Sequence, residues 1–224
     1  MLPSESPRDE RVLVDVAPVQ SGVGTAFAIN DDGLWLTARH VVDGCSDVAL
    51  RIGNRRSLRM QTQIFEDSDI AVLRADWTRK PLPADLTSRR QIGEIGYFFG
   101  FPQGKAGEVV GSLIARNRMV VRGRYTNDEA ILAWSELGRS RGLFGSLGGL
   151  SGAPVLDEDG EIIGVVSAES PRRGRIYSVA PRYLRGIITD PGVEQEPLSI
   201  ETYGLSADKL RRDRRVAQVL CLVR

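Results

Sequence analysis

Short apolar runs, each closed off by turn residues before two helical turns could form, limit what this chain can fold into. Val12-Leu13-Val14, Thr25-Ala26-Phe27-Ala28-Ile29, Leu34-Trp35-Leu36-Thr37, Val48-Ala49-Leu50-Arg51-Ile52 and Ile70-Ala71-Val72-Leu73 are apolar and β-prone. Asn30-Asp31-Asp32-Gly33 lies between two of them and is a hairpin signal, because these residues tolerate the backbone of a tight reversal. The same style resumes at 94–101, 108–114, 119–124, 130–135, 153–156, 162–167 and 176–179. Residues 76–91, with Pro81, Pro83 and few apolar positions, read as a connection between two halves. Many short strands and almost no helical periodicity indicate an all-β chain, a sandwich or a pair of barrels.

The C-terminus is the exception. Val216, Val219, Leu220 and Val223 fall at i, i+3, i+4 and i+7, which predicts one apolar face of an amphipathic helix. Leu205 and Leu210 extend that face, and Arg211, Arg212, Arg214 and Arg215 keep the other side wet.

Composition removes several function classes. The 224 residues suffice for one large β domain or two small barrels sharing a core. Thirty basic against 29 acidic side chains leave no net field to attract nucleic acid or anionic lipid. No stretch approaches the roughly 18 apolar residues of a transmembrane span. Residues 1–10 are polar, contain two prolines and do not read as a secretory signal. Two locations follow: the cytosol, or the periplasm and cell envelope if a leader or anchor has been removed. Cys45 and Cys221 are too few for a disulfide scaffold and wrongly spaced for zinc. Whether they pair is open, since sequence separation does not set the Cα distance.

Chemistry concentrates in three segments. His40 is the only histidine, inside Leu36-Thr37-Ala38-Arg39-His40-Val41-Val42. Asp67-Ser68-Asp69 leads straight into the run 70–73, and Ser151 stands in Gly149-Leu150-Ser151-Gly152-Ala153-Pro154. A serine hydroxyl is a poor nucleophile until a base takes its proton; imidazole is neutral yet basic near pH 7, and a buried carboxylate fixes its tautomer. Gly149 and Gly152 free the backbone to bend, so that the N–H groups of Gly149 and Ser151 form an oxyanion hole. A Gly-x-Ser-Gly string alone is usually only a turn, and a lone histidine usually a satisfied core residue. Chain order separates the competing mechanisms. An α/β-hydrolase needs its histidine after the serine, and no histidine follows Ser151. A subtilisin order needs an acid before His40, such as Asp31 or Asp32, on a helix-rich fold. A Ser–Lys dyad has only Lys80, Lys105 and Lys209 to draw on, none near a suggestive serine.

Thr37-Ala38-Arg39-His40, Asp69-Ile70-Ala71-Val72-Leu73 and Gly149-Leu150-Ser151-Gly152-Ala153-Pro154, with Gly24-Thr25-Ala26-Phe27 and Gly164-Val165-Val166-Ser167, resemble the signature blocks of trypsin-like serine peptidases. The likeness covers roughly residues 20–188 and is closer to bacterial Deg-type enzymes than to digestive ones. It implies two six-stranded antiparallel barrels of chymotrypsin type: 1–85 with the histidine and aspartate, 86–190 with the serine, then a C-terminal extension at 191–224. By position His40 is the base, Asp69 the orienting acid with Asp67 as rival, and Ser151 the nucleophile. The first substrate pocket is expected at Gly145, Ser146, Ser167, Ala168, Glu169 and Arg175, although Arg175 also reads as part of a solvated turn. No aspartate stands at the expected pocket floor, which favours small or medium apolar side chains over Arg or Lys.

Leu150 replaces the aspartate that precedes the nucleophile in digestive enzymes, which argues against activation by N-terminal cleavage. The glycine-rich segment 139–149 is expected to be mobile. The expected function is a serine endopeptidase acting on protein or peptide substrates, without metal or organic cofactor. The alternative is a latent or inactive protease-fold binding module that needs a partner to order the oxyanion loop.

Overall fold

The computed structural model describes residues 1–189 and 196–224; the boundary expected at 190/191 lies outside them. In chain order the elements are β1 (Arg11–Val16), β2 (Gly22–Ala28), β3 (Leu34–Thr37), α1 (Arg39–Val42), β4 (Asp47–Arg51), β5 (Ser57–Arg59), β6 (Gln61–Ile64) and β7 (Ala71–Arg74). They continue with β8 (Ile95–Gly100), β9 (Gly107–Gly123), β10 (Asn127–Arg139), β11 (Pro154–Leu156), β12 (Ile162–Ser170), β13 (Arg175–Val179), α2 (Tyr203–Arg212) and β14 (Val216–Leu222). The Asn30–Gly33 reversal forms as expected: the Asn30 carboxamide oxygen accepts the Asp32 and Leu34 N–H groups, and Gly33 takes φ +80°.

Two sheets carry the molecule. In the first the strand order is β5-β4-β14-β2-β3-β7-β6, and β5 and β6 are consecutive around Met60, so one bent segment joins the two ends of the row. Its interior holds Ala26, Ala28, Trp35, Leu50, Leu73 and Val219. In the second the order β9-β10-β13-β12-β11-β8 returns to β9 through the β8–β9 ladder. Phe98, Leu113, Trp134, Val155 and Ile163 fill that interior. A third cluster, including Phe27, Leu36, Ile70, Tyr97, Phe99 and Val165, seals the two sheets together and places their facing edges along one cleft.

The terminal strands cross over. β1 pairs parallel with the distal half of β9 in the second sheet, while β14 lies antiparallel between β2 and β4 in the first. The helix expected at 216–223 is therefore corrected to a strand. Ala217 and Val219 alternate into the first core, whereas Val216 and Gln218 face the second barrel, the latter bonding the Gly104 carbonyl. A strand buried on both faces reads as a continuous apolar run, and such a run satisfies helical spacing by coincidence. The C-terminal helix forms earlier, at α2, which buries Ala207 and Leu210 and leaves Leu205 73% exposed. β14 also brings Cys221 to Cys45, and the two form a disulfide.

Candidate active site

His40 sits on the single turn of α1, and Asp69 precedes β7 on the neighbouring strand connection. The imidazole Nδ1 bonds Asp69 Oδ2 at 2.8 Å, and the His40 backbone N–H donates to Asp69 Oδ1 at 2.9 Å. Oδ2 also accepts the Ser167 hydroxyl and Oδ1 the Tyr125 hydroxyl, the latter at 2.9 Å. The Asp69 side chain is 2% exposed and that of His40 26%, so the acid is sealed and the imidazole edge opens on the cleft. The rival Asp67 is exposed and stands outside this network.

Burial alone would raise the Asp69 pKa, but the His40 charge and the donors from His40 and Ser167 outweigh it and hold the carboxyl below its ordinary value. Burial lowers the His40 pKa, yet the charge and hydrogen bond of Asp69 prevail over it and over Arg124, leaving the imidazole above 6.5. The open ring edge weakens the burial effect further, in the same direction.

The serine segment is fastened to this pair through Thr25. Its N–H donates to the Ser151 carbonyl (2.9 Å), its hydroxyl to the Gly149 carbonyl (2.8 Å), and its own carbonyl accepts the Thr37 hydroxyl (2.6 Å). Gly152 has φ +84°, and a Cβ there would lie 2.2 Å from the Thr25 oxygen. Only glycine fits. A Cβ on Gly24 would fall 2.5 Å from Val41 Cγ1 and 3.2 Å from the Ser151 oxygen, which puts the serine backbone beside the His40 helix. No hydrogen bond joins the Ser151 hydroxyl to His40 among the described residues.

The backbone of the serine loop is held from the side of β8 and β9. The Gly148 carbonyl accepts the Gln103 N–H, and in a trans peptide this points the Gly149 N–H the opposite way. Among the described residues neither the Gly149 N–H nor the Ser151 N–H has an acceptor. The 139–149 loop, expected to be mobile, is pinned from outside. Gln103, itself at φ +55°, donates its amide to the Phe144 and Ser146 carbonyls (2.6 and 2.8 Å), and Arg139 Nη1 donates to the Gly145 carbonyl (2.8 Å). Glu169 accepts the Ser146 hydroxyl (2.5 Å) and the Leu147 N–H (2.9 Å).

Of the six residues expected to line the first pocket, the structure thus brings Ser146 to Glu169 and places Gly145 at the Arg139 tie. It commits the Ser167 hydroxyl to Asp69 and packs Ala168 on the Met119–Tyr177 cluster. Arg175 opens β13 opposite Ser135 and Ser170. Sequence reasoning missed Gln103, Arg124, Tyr125 and Glu129, none of which stands in a signature block, and gave Thr25 no role although it lies in the block 24–27. Asp85, Asp157 and Glu161 lie close enough to share a cation, but Arg90 pairs with Asp85 and Asp157 there.

A two-barrel β fold with a histidine–aspartate pair on one barrel and a tethered Gly-x-Ser-Gly loop on the other defines a chymotrypsin-fold hydrolase framework. Residues 24–165 match the trypsin-like peptidase domain. The chain is 28% identical over 169 residues to Protease Do-like 1, chloroplastic, of Arabidopsis thaliana, covering 72% of this chain and 36% of that protein. It is 31% identical over 165 residues to a probable periplasmic serine endoprotease DegP-like of Pseudomonas savastanoi, covering 68% and 30%. The active form of the Rv3671c protease from M. tuberculosis superposes with a TM-score of 0.61 at 17% identity, over 79% of this chain and 76% of that one. The chain belongs to the trypsin-like peptidase family. It spans about a third of the length of the curated relatives it matches. Among the described residues no helix is long and apolar enough to cross a membrane.

Proposed function

We propose that this chain is the peptidase domain of an endopeptidase that cleaves peptide bonds through an acyl-enzyme on Ser151. The observation that carries the reading is the His40–Asp69 pair, its acid buried and its imidazole edge open, with the Ser151 segment fastened beside it through Thr25. Ser151 Oγ attacks the scissile carbonyl while His40 Nε2 takes its proton, and Asp69 holds the Nδ1–H and stabilises the imidazolium. The Gly149 and Ser151 N–H groups bind the oxyanion, each contributing about 3 kcal/mol to the transition state. His40 then returns the proton to the leaving amine, and water repeats the sequence to release the acyl group. Every proton is handled by this chain. A latent module waiting for a partner is not favoured, because the loop such a partner would order is already tied to Gln103, Arg139 and Glu169. The disulfide fits an oxidising compartment, which supports the cell-envelope location over the cytosol.

A fluorophosphonate probe tests the chemistry by intact mass. One adduct is expected on wild type, and none on Ser151→Ala or His40→Ala. The labelling rate should rise with pH through a limb above 6.5, since His40 must be neutral to act and its pKa is raised. An unlabelled, folded wild type would sink the reading.

Glu169 sets the specificity in this proposal. Its carboxylate reaches from β12 to Ser146 and Leu147, across the space between the two expected pocket walls, and leaves room for small side chains. Glu169→Ala is expected to raise kcat/KM for Leu or Phe over Ala at the cleavage position by about tenfold, the scale of one or two buried methylenes. An equal loss on all substrates would instead assign Glu169 only to holding the loop.

A further inference from the structure

The turn joining β9 and β10 belongs to the second barrel, yet its side chains close on the histidine–aspartate pair of the first. Tyr125 donates its hydroxyl to Asp69 Oδ1 at 2.9 Å. Arg124 Nη2 donates to the His40 carbonyl at 2.7 Å. Glu129, just past the same turn on β10, accepts the Asp69 backbone N–H on Oε1 at 2.9 Å, and Asn127 Nδ2 donates to that oxygen at the same distance. The tip is buttressed in turn. The Arg39 guanidinium stacks on the Tyr125 ring at 3.9 Å, and Gly123, at φ +103°, lies so close to β1 that a Cβ would sit 2.4 Å from the Val16 oxygen.

These contacts exceed what a catalytic carboxylate needs, since His40 and Ser167 already give Asp69 three donors. Glu129 is the unusual member: it is fully buried, and its Oε2 has no partner among the described residues. Polar atoms are seldom buried on these terms unless the position does something else. Burial first, then the charges of Asp69 and Asp67, push the Glu129 pKa well above the ordinary carboxyl range, and the Asp69 N–H does not offset them. A neutral acid with its proton on Oε2 accepts the Asp69 N–H on Oε1 without placing a second negative charge beside the catalytic one.

We propose that this hairpin tip is a clamp built by one barrel onto the catalytic pair of the other, with Tyr125 and Glu129 as positioning residues that fix Asp69 from its carboxylate and from its backbone. The proposal rests on the Ser151–His40–Asp69 reading. It makes the aim of His40 depend on the relative seating of the two barrels, which the dyad's own contacts do not.

His40 is the sole histidine, so its imidazole titration by NMR carries no overlapping signal. The groups facing it are Asp69 and Arg124; those facing Tyr125 are Asp69, Arg39 and Glu129. Tyr125→Phe removes one donor from Asp69, and the carboxylate then holds the imidazolium more strongly. The His40 pKa and the acid limb of fluorophosphonate labelling should both move up by some tenths of a pH unit. The limiting labelling rate should nevertheless fall about tenfold, because the misaimed imidazole costs more than the stronger base gains. Glu129→Gln keeps a neutral acceptor for the Asp69 N–H and should label within about twofold of wild type, whereas Glu129→Ala should lose tenfold or more. Labelled wild type together with a Tyr125→Phe variant of unchanged rate and unchanged His40 titration overturns the clamp alone. So does a Glu129→Gln variant as impaired as Glu129→Ala. Unlabelled wild type overturns the peptidase reading and the clamp with it.

Discussion

Asp69→Asn is expected to lower kcat on the order of 10⁴-fold while KM changes little. The reason lies in the number of donors that converge on this carboxylate: the His40 N–H and Nδ1–H, the Tyr125 hydroxyl and the Ser167 hydroxyl. An ionised carboxylate accepts all of them. A carboxamide has one acceptor oxygen, and its NH₂ faces groups that also donate. Placed toward His40, the amide forces the wrong imidazole tautomer and leaves no basic lone pair on Nε2. Placed away, it opposes Tyr125 and the backbone. Substrate contacts are untouched, so the loss belongs in kcat, and steady-state kinetics on a cleaved peptide separates the two parameters. The same substitution changes stability in acid. Because the folded-state pKa of Asp69 is depressed, its contribution to wild-type stability is present above the ordinary carboxylate pKa and is lost as pH falls through the folded value. The variant lacks that acid-sensitive part. Asp67→Asn, at the exposed rival acid, should leave kcat as in wild type.

The parts of this site that were legible in the sequence are those whose chemistry is local. His40, Asp69 and Ser151 each sit in a short block whose neighbours serve the same turn or strand, so the block advertises the residue. The clamp is different. Tyr125 and Glu129 lie 56 and 60 residues from Asp69, and nothing in Tyr125-Thr126-Asn127-Asp128-Glu129 distinguishes it from a solvated turn until the barrels are docked. The glycines of 139–149 rightly signalled a loop, but its order is imposed by Gln103 and Glu169, which lie outside it. At 216–222 the periodicity failed because both faces of the strand are buried, one by each barrel. That strand also settles the cysteines: it runs antiparallel to β4 and sets the Cys45 and Cys221 Cα atoms 5.5 Å apart, within bridging distance.

Breaking that bridge is expected to cost about 5 kcal/mol, from the chain-entropy relation for a loop this long, in a protein whose whole stability is on the order of 5–15 kcal/mol. The cysteines are separated by 176 positions of the 224, so most of the chain lies inside the closed loop. What the bridge secures is not a dangling tail. β14 donates to two ladders in the first sheet, with β2 and with β4, and its outer face packs against the second barrel through Val216 and Gln218. β1 at the other end of the chain is meanwhile committed to the second sheet. The first barrel is therefore completed by the strand that follows the second, while β1 adds to the distal half of β9 in a second barrel that closes through β8–β9. For a chain of this length the loss corresponds to a fall in Tm of about 10–20 °C. Differential scanning calorimetry of the double Cys45→Ser, Cys221→Ser variant, or of wild type under reducing conditions, measures it. A chain ending before Val216 should go further and yield no folded, probe-reactive protein. The crossed termini also predict how the protein melts. Probe labelling and both barrels should be lost in one transition, because unzipping β14 opens the first sheet and uncovers the second in the same event. Two resolved transitions, with Ser151 still reactive after the first, would show that the barrels stand independently and that the exchange of end strands does not couple them.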